Sequence, residues 1–201
     1  LLESRGVLDR PLLFVVLDPT VAARFLPTRP LVLLDNSISM HAAAGRATEA
    51  RELARTLLAD WGITHQLYNP LDVADLTAKL SDKTKLVWLE APGSVTMEFP
   101  DLPALVAAAK ARGVLTALDN TWGAGLAFQP FALTGGQAVD ISMQALTKYP
   151  SGGADVLMGS VITQDQALYH QILMAHSRLG IGVGANDVEM VLRGLPSIAL
   201  R

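Results

Sequence analysis

The chain contains no cysteine. That excludes disulfides, thiolate metal ligands and a cysteine nucleophile, and it fits a reducing compartment. Charge is sparse as well: 17% of residues are Asp, Glu, Lys or Arg, the formal net charge is −3, and no long basic run occurs. Nucleic-acid binding without sequence preference needs clustered Lys and Arg, so nucleic acid is not an expected partner. No uninterrupted apolar run approaches the ~20 residues that a bilayer-spanning helix needs. Nothing has the basic start, apolar centre and small-residue cleavage site of a signal peptide. His41, His65, His170 and His176 lack the paired spacing of a metal site, so no metal is expected. A soluble, cytoplasmic protein without a membrane partner is what these absences leave.

What is present is apolar and periodic. Half of the 201 residues are hydrophobic, which suits a globular α/β core and argues against disorder. From Pro30 onward, short apolar runs alternate with amphipathic ones. Leu31 to Leu34 reads as a buried strand ending at Asp35-Asn36. Helical spacing covers Arg46 to Trp61 and stops at Gly62. A strand over Ile63 to Tyr68, a helix over Asp72 to Leu80 and a strand over Leu86 to Leu89 follow. Leu102 to Arg112 reads as an alanine-rich helix stopped by Gly113, and Val114 to Leu118 as a strand running into Asp119. Val139 to Met143 and Val156 to Ile162 are further predicted strands, with helices over Gln166 to Ser177 and Asn186 to Arg193. The Gly182-Val183-Gly184 run lacks a dinucleotide fingerprint and reads as a connector.

This alternation predicts an α/β fold with a mostly parallel sheet flanked by helices. Ligands bind such sheets beyond the carboxyl ends of the strands. That rule singles out Asp35, Glu90, Asp119 and the stretch after Met143. Residues 1–29 are atypical, rich in Pro and Arg, with a strand expected at most over Leu12 to Leu17.

Asp119 by itself is most simply a turn former, since Asp-Asn commonly ends a strand. Lys148 by itself is most simply an exposed loop lysine. Together they are more informative. Pyridoxal phosphate needs a lysine to hold it as a Schiff base and an acid to keep its pyridine nitrogen protonated. A lysine beside Asp119 in a cleft would be partly desolvated and so more nucleophilic. Hydroxyls and backbone N–H groups must also cradle the phosphate, and Thr147 stands next to the lysine.

The motifs then become specific. Asp119-Asn120-Thr121-Trp122, Gln144-Ala145-Leu146-Thr147-Lys148-Tyr149 and Asp155-Val156-Leu157-Met158-Gly159 follow in order. This series resembles the Cys/Met-metabolism family of pyridoxal-phosphate enzymes. The run from Leu89-Glu90-Ala91-Pro92-Gly93-Ser94 to Glu98 resembles its cystathionine β-lyase branch. The resemblance covers Pro30 to Arg201 and includes Arg193-Gly194-Leu195-Pro196-Ser197. It implies Lys148 as the catalytic and cofactor-binding lysine, Asp119 as the partner of the pyridine nitrogen and Thr147 as a phosphate-binding hydroxyl. Ser94 falls on the substrate side of the cofactor, and Trp122 is expected in the core.

The implied fold is the large domain of the fold-type-I, aspartate-aminotransferase-like enzymes, over residues 30–201, incomplete at both ends and without the C-terminal small domain. The implied activity is β-elimination of L-cystathionine to homocysteine, pyruvate and ammonia, in methionine biosynthesis. A γ-synthase, γ-lyase or sulfhydrylase, or a non-catalytic remnant, are the alternatives. Complete relatives form homo-oligomers, dimers or tetramers, around an amino-acid substrate.

The sequence also departs from the family. After Asp35-Asn36 comes Ser37-Ile38-Ser39-Met40 in place of a ring-stacking tyrosine, and His41 to Ala47 reads as an insertion. No phosphate loop precedes it, and the arginine expected to pair with the substrate carboxylate lies in the small domain. Misplaced groups alone cost large factors in rate. The 201-residue chain is therefore expected to release little or no pyruvate from L-cystathionine in a coupled assay; robust turnover would contradict this.

Overall fold

The computed structural model describes residues 31–35, 58–93 and 97–201. Its described elements are β1 (Leu31–Asp35), β2 (Thr64–Tyr68), α1 (Val73–Lys79), β3 (Thr84–Glu90), α2 (Leu102–Lys110), β4 (Leu115–Asp119), β5 (Ile141–Ala145), β6 (Gly159–Ile162), α3 (Gln166–Leu179) and α4 (Ala185–Gly194). Short 3-10 turns cover Thr134–Gly136 and Leu195–Leu200. Residues 58–60 are helical. The rest of the helix predicted over Arg46 to Trp61 lies outside the described residues, as do the strand over Leu12 to Leu17 and the insertion at His41 to Ala47.

Local chemistry explains where the helices start and stop. Asp72 caps α1: its Oδ1 accepts from the backbone N–H of Ala74 at 2.9 Å and of Asp75 at 3.2 Å. Lys79 in the last turn donates to Asp75 Oδ2 at 2.6 Å, one helical turn back. Asp101 caps α2 in the same way through the Ala104 N–H at 3.1 Å. That helix ends where Gly113 takes a φ of 64°, a left-handed conformation that other residues rarely adopt.

The strands form a six-stranded sheet in the order β2-β1-β3-β4-β5-β6. All pairs are parallel except β5 with β6, which is antiparallel. Parallel strands need crossover connections: α1 lies in the one that carries the chain from β2 past β1 to β3, and α2 in the one from β3 to its neighbour β4. α2 lays Leu102, Leu105, Val106 and Ala109 against Val87, Leu89 and Leu118, all buried in one hydrophobic core with Tyr68 and Leu76. The mostly parallel α/β sheet predicted from the alternation is thus the one observed.

The strands differ from their predicted bounds by one to three residues, and for β5 and β6 the cause is visible. β5 runs to Ala145 instead of ending at Met143, because its ladder with β6 continues through Gln144 and Ala145. β6 starts only at Gly159; Val156, Leu157 and Met158 precede it, and Met158 instead bonds back to the loop after β5.

A side-chain clamp fixes β4 against β5 at their amino ends. Asp140 Oδ2 accepts from the Thr116 N–H at 2.7 Å and from Thr116 Oγ1 at 2.8 Å, while the Asp140 N–H donates to Thr116 Oγ1 at 3.1 Å. Thr163 Oγ1 adds β6 to this clamp by donating to the Asp140 carbonyl at 2.7 Å. Thr116 is buried, so each of these polar groups needs its partner.

The packing generates a stability prediction. Leu105 is fully buried between α2 and the sheet. Leu105→Ala should destabilise the chain by roughly 3 kcal/mol, from lost burial plus the cavity left behind. Urea unfolding checks this; a change below about 1 kcal/mol would mean that α2 is not packed as described.

Candidate active site

Because β1, β3, β4 and β5 are parallel, their carboxyl ends meet at one edge of the sheet, and those ends are Asp35, Glu90, Asp119 and Ala145. Glu90, Asp119 and Met143 share one row of the pairing across β3, β4 and β5. Lys148 lies on the loop that follows β5. The strand-end rule and the two residues picked from the sequence therefore converge on neighbouring strands.

Asp119 is half-buried, and its Oδ1 accepts from the Thr121 N–H at 2.9 Å. Among the described residues its second oxygen, Oδ2, takes part in no hydrogen bond. The turn-former role is real, then, but it occupies one oxygen and orients the other. The next residues close over the ends of the strands. The Asn120 N–H donates to the Met143 carbonyl at 2.7 Å, and the Ala145 N–H donates to Thr121 Oγ1 at 2.9 Å. Asn120 and Thr121 are both buried, while Asn120 Oδ1 finds no partner among the described residues.

Trp122 does not enter the core as expected. It is 40% exposed and meets Phe99 edge-on, with ring centroids 5.8 Å apart. The inward positions of this turn are taken by Asn120 and Thr121, which bond to β5, and the indole is left outside.

The loop carrying Lys148 is a tight coil of backbone bonds. The Lys148 N–H donates to the Ala145 carbonyl at 3.2 Å, the Ser151 N–H to Leu146 at 2.9 Å and the Gly152 N–H to Lys148 at 3.1 Å. Ser151 Oγ donates to the Thr147 carbonyl at 2.7 Å. Lys148 is exposed, and its amine has no partner among the described residues. The desolvation expected for this lysine is absent because no described residue packs over it. Thr147 is engaged differently from the expectation of a free hydroxyl. Its Oγ1 donates to the Met158 carbonyl at 3.3 Å and accepts from the Met158 N–H at 3.2 Å, which ties the loop to the start of β6. Ser94 lies outside the described residues.

Three supports of this loop carry no signal in composition or periodicity: Thr121, Gly194 and Arg201. Arg201 donates to the carbonyls of Tyr149 and Gly194, both at 2.7 Å, and to Ser197 Oγ at 2.6 Å. Gly194, at the end of α4, approaches the loop so closely that an added Cβ would lie 2.1 Å from the Pro150 carbonyl oxygen and 2.4 Å from that of Ser151. Arg193-Gly194-Leu195-Pro196-Ser197 stood out as a motif, but nothing in it announced contact with the lysine loop.

Chemically, the edge offers one unengaged carboxylate oxygen and one unengaged primary amine on adjacent strands. This donor set fits an aldehyde cofactor with a basic ring nitrogen: the amine condenses with the aldehyde, and the carboxylate accepts from the protonated ring. For a phosphate, the described residues offer the Thr147 hydroxyl, once released from Met158, and nearby backbone N–H groups.

Comparison with known proteins identifies the family. The sequence profile of the family described as Cys/Met metabolism PLP-dependent enzyme, PLP being pyridoxal phosphate, matches residues 15–201. The chain belongs to this family. The match begins within the segment 1–29 that looks atypical. Cystathionine beta-lyase of Bordetella avium is 36% identical over 150 residues, which are 75% of this chain and 36% of that protein. Cystathionine beta-lyase MetC of Escherichia coli K12 is 34% identical over 154 residues, 76% of this chain and 38% of that one. The chain thus spans well under half the length of these curated relatives. A crystal structure of cystathionine gamma-lyase from Lactobacillus plantarum superposes with a TM-score of 0.71 at 23% identity, over 90% of this chain and 45% of that one. The fold is that of the fold-type-I pyridoxal-phosphate enzymes, seen here in part. No helix among the described residues is long and apolar enough to cross a membrane.

The Gly194 contact is directly testable. A methyl group there meets backbone atoms, which cannot rotate away as a flexible side chain could. Gly194→Ala should destabilise the chain by about 1–3 kcal/mol through overpacking and shift the amide signals of Pro150's neighbours Tyr149 and Ser151. Unchanged melting temperature and unchanged spectra would refute the contact.

Proposed function

We propose that this chain carries the cofactor-binding core of a pyridoxal-phosphate-dependent carbon–sulfur lyase that cleaves L-cystathionine by β-elimination. One observation carries the proposal: Asp119, at the end of β4, and Lys148, on the loop after the neighbouring β5, present an unengaged carboxylate oxygen and an unengaged amine in a chain whose family uses this cofactor. Residues 30–201 act as one large-domain unit, the complete protein works as a cytoplasmic homo-oligomer, and the substrate is a small amino acid.

When bound, pyridoxal phosphate supplies an electron-accepting ring that stabilises negative charge at the substrate Cα. Asp119 would keep the ring nitrogen protonated, its carboxylate being held in place by the Thr121 N–H at Oδ1. Lys148 would hold the cofactor covalently, and its Nζ, when free, would take the substrate Cα proton as general base. The Cβ–S bond would break with its electron pair leaving on sulfur, so that homocysteine departs as the thiolate, and the remaining three-carbon amine would take up one water to give pyruvate and ammonia. Thr147 contributes its hydroxyl to the phosphate by exchanging its bond with the Met158 carbonyl. Ser94 is assigned to the substrate side by the resemblance alone.

β-Elimination is favoured because two similar curated proteins are named cystathionine beta-lyase. A γ-lyase is the second reading, supported by the similar fold of the Lactobacillus plantarum enzyme. It would use the same Lys148 and Asp119 but release 2-oxobutyrate in place of pyruvate.

The test is covalent capture. Pyridoxal phosphate is added to the chain and to Lys148→Ala, reduced with borohydride, and the labelled peptide identified by mass. A visible absorbance band and a label on Lys148 are expected in the parent and not in the variant; equal spectra would remove the proposal. In the full-length protein, Asp119→Asn should lower turnover by on the order of 100-fold, as loss of a preorganised charge-stabilising group does. Wild-type turnover in that variant would exclude Asp119 from the role.

A further inference from the structure

Asp119 and Lys148 belong to different strands, so their separation depends on what joins the two loops beyond β4 and β5. Thr121 is 9% exposed and makes two bonds there. Its N–H donates to Asp119 Oδ1 at 2.9 Å, and its Oγ1 accepts from the Ala145 N–H at 2.9 Å. The Ala145 carbonyl in turn accepts from the Lys148 N–H at 3.2 Å. Hydrogen bonds therefore run without a break from the carboxylate, through Thr121 and Ala145, to the lysine backbone. Among the described residues, Thr121 alone bonds both to the Asp119 carboxylate and to the end of β5 from which the lysine loop leaves.

We propose that Thr121 is a positioning residue that locks the Asp119 carboxylate and the Lys148 loop into one geometry, so that ring nitrogen and amine are gripped at a set separation. This rests on the reading of Asp119 and Lys148 as the cofactor pair. A threonine suits the task for three reasons. Its backbone N–H reaches the carboxylate two residues earlier, its hydroxyl reaches across to the next strand, and its branched Cβ restricts χ1 so that the hydroxyl keeps its direction. Valine preserves the shape and the backbone bond but removes the acceptor. Serine preserves the acceptor.

Thr116 supplies a matched control. It also ties β4 to β5 from a buried position, but at the opposite end of the strands, through Asp140. Thr116→Val therefore loosens the same strand pair without touching Asp119 or the lysine loop.

The experiment compares the full chain with Thr121→Val, Thr121→Ser and Thr116→Val. Without cofactor, amide exchange at Ala145 should quicken roughly tenfold in Thr121→Val, the size expected for one lost hydrogen bond, and recover in Thr121→Ser. With pyridoxal phosphate, borohydride-trapped labelling of Lys148 should need about tenfold more cofactor in Thr121→Val. The pH midpoint of its visible band should move as well, and both effects should be restored by serine. Thr116→Val should lose stability yet keep the parental pH midpoint. If Thr121→Val and Thr116→Val behave alike, Thr121 is merely structural and the proposal falls.

Should the valine variant not fold, the parental chain decides. The amide signals of Thr121 and Ala145 should titrate together with the Asp119 carboxyl carbon, and a flat Ala145 signal would overturn the bridge. A parental chain that takes no label on Lys148 sinks the cofactor assignment instead. The exchange and titration data then judge the bridge alone.

Discussion

The parallel pairing of β4 with β5 is reinforced by hydrogen bonds at both ends, side-chain bonds among them, and the candidate site exists only because of it. At the amino ends, Asp140 and Thr116 exchange bonds through backbone and hydroxyl. At the carboxyl ends, Asn120 and Thr121 reach the backbone of Met143 and Ala145. A slip of one residue in this pair would turn each side chain to the opposite face of the sheet and separate Asp119 from the lysine loop. Buried hydrogen bonds specify such a register well, because each bond lost in a slip leaves a polar group unsatisfied away from water.

Beyond the strands, the lysine loop is braced from three directions. Thr147 ties it to Met158, Thr121 reaches its base through Ala145, and Gly194 with Arg201 supports its far side. The amine itself remains exposed, which separates two properties often merged. The backbone position of Lys148 is set by bonds within this chain, whereas its side chain stays exposed among the described residues. For a general base that also attaches a cofactor, positioning and shielding contribute to rate through different physics: the first by orientation, the second by strengthening local electrostatics.

Much of the fold was legible before any coordinates. Strands and helices alternated with clear periodicity, and Gly113 marked a helix end in the left-handed conformation its place implied. The errors were local. β6 was taken to begin at Val156, since an apolar run cannot reveal that Met158 is diverted to pair with Thr147. Size and hydrophobicity point Trp122 to the core, yet the smaller Asn120 and Thr121 hold the inward places, Thr121 through the bond its hydroxyl accepts from the Ala145 N–H, which an indole ring cannot replace.

Sequence alone determined the class of fold and the family, because strand periodicity is local and the family's motifs are short contiguous runs, and it nominated Asp119 and Lys148 as the candidate pair. Tertiary structure decided the rest. That Thr121 joins the two residues, that Gly194 must lack a side chain, that Thr147 is already bonded and that Lys148 is exposed are all relations between segments far apart in the chain. Contacts of that kind depend on strand order and register, which no single stretch of sequence contains.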